Sequence, residues 1–188
     1  MVPTLTLWLP ILLSAIAVFI ASSIIHMVLG YHNSDFNKLP AEDEVMGGLR
    51  RFDLAPGDYM MPCPGSKEDR TSPEFIAKMT RGPVVMMTVW KNGPPAMGAS
   101  LVQWFVFCIV VSAFTAYLAG LALEPGATYL EVFRFAGTAA FAAYALALLE
   151  DSIWYNRQWS TTLKNVFDGF VYAAVTAGVF GWLWPGAS

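Results

Sequence analysis

The chain has 188 residues, of which 56% are hydrophobic and 13% charged, about half the charged fraction of an ordinary soluble domain. Its 11 Lys and Arg against 14 Asp and Glu give a net charge of −3, which excludes the basic surface that a nucleic-acid partner requires. The two cysteines cannot form a disulfide framework, because Cys108 sits in an apolar run and Cys63 in a polar stretch, so both read as free thiols.

Four apolar segments, at about 5–30, 100–122, 129–149 and 166–185, approach or exceed the 20 or so residues that a helix needs to cross a bilayer. The first holds WLPILLSAIAVFIASSIIHMVLG, with Trp8 at one edge and Tyr31 at the other, where interfacial aromatics belong. It reads as a span rather than a cleaved leader: it has no basic start, and its apolar run is too long for a signal core. Pro10 lies within its first turns, where a kink costs little.

Residues 31–98 form a polar insert with signals of its own. PAEDEVMGGLRRF starts with Pro40 and acids and ends in Arg50 and Arg51, the order that the helix dipole favours. Ser72-Pro73-Glu74 marks a second helix start, running to about Met79 before Gly82-Pro83 stops it. VVMMTVW is β-prone and precedes the turn pair Asn92-Gly93, and DYMMP at 58–62 is its natural partner in a two-stranded sheet. Such a ribbon is marginal alone, so the insert is expected to lean on helices, on the bilayer surface or on a partner.

Beyond the insert, the loop between the second and third segments is short, which makes those helices antiparallel neighbours. Small residues four apart let helix backbones approach in lipid, and three ridges fit: Ser112, Ala116 and Gly120; Ala139, Ala143 and Ala147; Gly169, Ala173, Ala177 and Gly181. Trp182 and Trp184 close the last segment at an interface. The fold expected is an all-α integral membrane protein: a four-transmembrane-helix bundle, divided as 1–30, 31–98 and 99–188, with a small α+β cytoplasmic insert.

Orientation follows from the basic residues. The insert carries Lys38, Arg50, Arg51, Lys67, Arg70, Lys78, Arg81 and Lys91, and with four spans it shares a side with the loop that holds Arg157 and Lys164. LEPGATYLE, on the other side, has no Lys or Arg. The positive-inside rule therefore puts both termini outside and 31–98 in the cytoplasm, in a bacterial-type inner membrane.

The one group of residues that resembles a ligand set is His26, His32 and Asp35, in HMVLGYHNSDF at the inner end of the first span. Imidazole and carboxylate suit a divalent transition metal. Six residues apart, His26 and His32 point to different faces of a continuous helix, so joint ligation requires a break at Gly30. The competing assignment is packing for His26 and an interfacial polar role for His32.

Glu131 and Arg134, three apart, read as a local ion pair or as a site for an anionic headgroup. Glu150, Asp151, Arg157, Lys164 and Asp168 read as a charge network that ties the inner loop to the insert. The tryptophans fit interfacial belts.

No nucleotide-binding loop, hydrolase elbow, HExxH or CxxC motif assigns a reaction. The leading expectation is a non-enzymatic homo-oligomer or accessory subunit in the lipid bilayer, using the insert to dock another membrane protein. The alternatives are a metal-dependent membrane enzyme centred on His26, His32 and Asp35, and an oligomeric pore.

Overall fold

The computed structural model describes residues 1–186. It is mostly helical and divides into two compact units: Lys38–Pro95, and the remainder of the chain on either side of it.

The larger unit is built from α1 (Trp8–Met27), α4 (Met97–Ala122), α5 (Tyr129–Tyr144), the short α6 (Leu149–Trp154) and α7 (Trp159–Trp182). Three helical segments, Thr4–Met27, Met97–Ala122 and Tyr129–Trp154, are long and apolar enough to cross a membrane. The third is not one regular helix: α5 ends at Tyr144, a tight turn over Leu146–Leu148 follows, and α6 completes the segment. α7 has the length of a span, but Thr161, Thr162, Lys164, Asn165 and Asp168 crowd its first half and make it more polar than the other three.

Inside this unit many packed positions are small or hydroxyl-bearing, with Ala15, Ser14, Ser112, Ala116, Ala136, Ala140, Ala173, Thr176 and Ala177 buried alongside Val18, Val132 and Phe180. Large apolar side chains such as Ile16, Ile20, Ile24, Val102, Val106, Val110, Phe114 and Phe170 are exposed. Ser14 and Ser112 join α1 to α4 through a 2.9 Å hydrogen bond, and the Trp104 indole donates to the Ser22 hydroxyl at 2.8 Å.

α5 and α7 make the closest helix contact. A Cβ at Gly169 would lie 2.9 Å from that of Ala145, one at Gly181 would lie 2.8 Å from the Tyr129 ring, and one at Gly137 would lie 3.2 Å from that of Ala177. The ridges expected on α4 and α7 are buried. The α5 ridge is displaced: Val132, Ala136, Ala140 and Tyr144 are buried, whereas Ala143 and Ala147 face outward. In FRFAGTAAFAAYALA small residues fall on every face, so spacing alone does not fix which stripe packs.

The smaller unit holds α2 (Glu42–Arg50), β1 (Gly57–Met61), α3 (Pro73–Arg81) and β2 (Val85–Val89). Ser72 caps α3 by accepting from the Phe75 N–H, with Pro73 in the first helical turn. β1 and β2 pair antiparallel in the register Tyr59 with Met87 and Met60 with Met86, as the two β-prone runs suggest. Every residue of this unit keeps at least partial exposure. Phe52 and Trp90 are each 71% exposed.

Candidate functional site

The break that joint use of the two histidines requires is present. α1 stops at Met27, Gly30 takes a left-handed conformation at φ 62°, and Tyr31–Ser34 forms a tight turn. Reversal at this glycine brings His32 back beneath His26, with ring centroids 4.6 Å apart. Glycine suits the position because a side chain there is strained at positive φ.

The other wall comes from α7. Lys164, Asp168 and Tyr172 are spaced four apart and so share one face of that helix. Asp168, whose side chain is 4% exposed, directs Oδ2 to His32 Nε2 at 2.8 Å and accepts from the Tyr31 hydroxyl through Oδ1. His26 Nε2 lies 3.9 Å from Asp168 Oδ2 and 3.4 Å from the Tyr172 hydroxyl.

One donor atom from each of His26, His32 and Asp168 falls within a 4.8 Å group. Asp35 sits behind this group rather than in it: its Oδ2 is 2.6 Å from His32 Nδ1. Lys164 Nζ donates to Asp35 Oδ1 at 2.8 Å and to the Tyr31 carbonyl and Ser34 hydroxyl at 2.9 Å each. Burial alone would raise the Asp35 carboxyl, but hydrogen bonds from Lys164 and His32 outweigh it and hold the group below its usual value. Burial, followed by donation to Asp168, pushes the Tyr31 phenol up.

Two features define the chemistry. A neutral imidazole has one N–H, yet both ring nitrogens of His32 face carboxylate oxygens. Fixed charge is also unequal, because Lys164 balances Asp35 while Asp168 is met by the Tyr31 hydroxyl and the two histidines, with no lysine or arginine paired to it among the described residues. The space between His26, His32 and Asp168 thus favours a cation. His26, with a half-exposed side chain, forms its open side.

The remaining ionisable residues singled out from sequence separate. Arg157 pairs with Asp151 at 3.2 Å within the turn after α6, and Glu150 is exposed. Lys164 and Asp168 join the histidine centre instead of this pair. Glu131 does not pair with Arg134: its Oε2 accepts from the Thr128 N–H and hydroxyl at 2.9 Å each, closing a capping box at the start of α5. Tyr31 and Tyr172 were not expected at the site. The spacing of Lys164, Asp168 and Tyr172 was the available sign, since three polar groups on one stripe of a span-length helix need a polar neighbour.

Compared with known protein families, curated proteins and solved structures, the chain matches none.

Proposed function

We propose that the protein is a multi-pass membrane protein that holds a divalent transition metal between His26, His32 and Asp168. The observation that carries this reading is the placement of His32 between two carboxylates beside a second histidine. A metal ion at Nε2 would take the place of the second proton: Nδ1–H donates to Asp35, and Nε2 and Asp168 both turn to the ion. A histidine oriented from behind by a carboxylate is the usual support of a ligating imidazole.

The distances suit such an ion. Ligands on a tetrahedral zinc with bonds of about 2.0–2.1 Å stand about 3.3 Å apart. The 2.8 Å and 3.9 Å separations around Asp168 Oδ2 bracket that value, and no two of the three donor atoms lie more than 4.8 Å apart. Two imidazoles and one carboxylate favour zinc or ferrous iron and leave coordination positions open for water or substrate, the arrangement of catalytic rather than structural sites.

The bilayer setting is part of the same proposal. Small and hydroxyl residues concentrated at the helix contacts, with many large Ile, Val and Phe side chains along the outer faces, is a distribution that lipid favours. α7, as a fourth span, would turn its polar stripe inward to the histidine centre. The basic residues of the short inner loop support a cytoplasmic position for the centre, with both termini outside.

Elemental analysis of protein purified without added chelator tests the reading. About one zinc or iron per chain, lost in His32→Ala, is expected; a metal-free protein that also fails to bind added zinc would overturn it.

A second reading has its own support. Every residue of Lys38–Pro95 is at least partly exposed, with Phe52, Trp90 and Ile76 prominent among the apolar ones, and this supports a reading in which the unit docks on another membrane protein. Copurification of wild type and Phe52→Ser/Trp90→Ser from native membranes tests it. A partner lost in the double variant supports docking; a chain that runs alone in both counts against it.

A further inference from the structure

The second turn of α5 carries an arginine without an acidic partner among the described residues. Arg134 is exposed, and the neighbour that should neutralise it, Glu131, is committed to Thr128. Two apolar grooves meet at this side chain. One, of about 590 Å³, runs between α4 and α5 past Leu118, Phe135 and Ala142. The other, of about 360 Å³, runs between α5 and α7 past Phe141, Phe170 and Ala174. Arg134 and Thr138 line both, so α5 is a low ridge with a trough on each side and one cation at its crest.

We propose that Arg134 is the headgroup anchor of a bound anionic phospholipid whose two acyl chains lie in the two grooves. An unpaired guanidinium on a lipid-facing helix is costly unless it reaches an anion, and a planar fork of donors fits a phosphate. Apart from Glu131, whose Oε2 is engaged by Thr128, the two troughs are walled mainly by Leu, Phe and Ala, with the Thr138 hydroxyl already given to the Arg134 carbonyl at 2.8 Å. Twin apolar grooves diverging from one cation match a diacyl chain pair diverging from one phosphate. The site shares no residue with the histidine centre; it rests on the bilayer setting proposed above and not on the metal.

Native mass spectrometry of delipidated protein titrated with phosphatidylglycerol, with phosphatidylcholine as the comparison, provides the test. The wild type is expected to retain one phosphatidylglycerol through activation that strips other lipid. Arg134→Gln is expected to bind it about tenfold more weakly, while Arg134→Lys recovers part of the loss. Ala142→Phe, which keeps the arginine and fills one trough, should also release the lipid, and it keeps the proposal testable if Arg134→Gln does not fold. Metal content should be unchanged in all three variants. Equal retention in Arg134→Gln and wild type would mean annular lipid only and would overturn the proposal, as would retention of phosphatidylcholine in preference to phosphatidylglycerol.

Discussion

Lys164→Met removes the cation that ties α7 to the turn after α1 while keeping a long, helix-compatible side chain. The ammonium donates to three oxygens on that turn, at 2.8–2.9 Å, and the carboxylate among them, on Asp35, is 7% exposed while Lys164 is 26% exposed. A surface pair is worth less than about 1 kcal/mol, and breaking a fully buried one costs about 3–5 kcal/mol. This pair is dry on the acid side and partly wet on the amine side, and Asp35 retains His32 after the substitution, so the loss should be about 2 kcal/mol. Equilibrium unfolding in detergent micelles, followed by tryptophan fluorescence at neutral pH, measures it. A change below about 0.5 kcal/mol would refute the reasoning, because it would make the three contacts energetically idle.

The acid dependence of the same variant has a definite sign. Asp35 is held below its usual value in the folded protein, so its contribution is present above the ordinary carboxylate pKa of about 3.9 and lost as pH falls through the lower folded value. The stability gap between wild type and Lys164→Met should therefore narrow as pH is lowered below about 4, and a gap that widens there would contradict the assignment. Gly169→Ala places a methyl against Ala145 and the Tyr144 carbonyl and should destabilise the α5–α7 contact by about 1–3 kcal/mol, measured by the same unfolding assay. Tyr144→Phe should change stability by no more than about 1 kcal/mol in either direction, since the buried hydroxyl makes no well-formed hydrogen bond and has only the Cys108 thiol to interact with; a larger loss would contradict this.

Where the signal was local, sequence carried it through to structure. Ser72-Pro73 starts α3, acids open α2, and the two β-prone runs pair across the insert, because caps, dipoles and strand propensity act over a few residues. The break at Gly30 enters from sequence only as a condition for joint use of the two histidines, with the apolar run read as continuing to residue 30. What sequence did not expose was contact at a distance. Asp168 meets His32 across 136 positions, and nothing near Asp168 announces a histidine. Asp35 lay closer to the histidines in sequence and so stood out as a third ligand, although its oxygens reach the far side of the His32 ring. The Glu131–Arg134 pair was suggested by spacing, but the unsatisfied donors at the start of α5 compete for Glu131 and take it.

The division of labour between the two aspartates is the most direct test of the metal centre. Calorimetric titration of metal-stripped protein with zinc should show Asp168→Asn losing binding altogether, with Asp35→Asn binding about 10–100-fold more weakly because His32 loses its support. Equal affinity in Asp168→Asn and wild type would contradict a centre built on His26, His32 and Asp168.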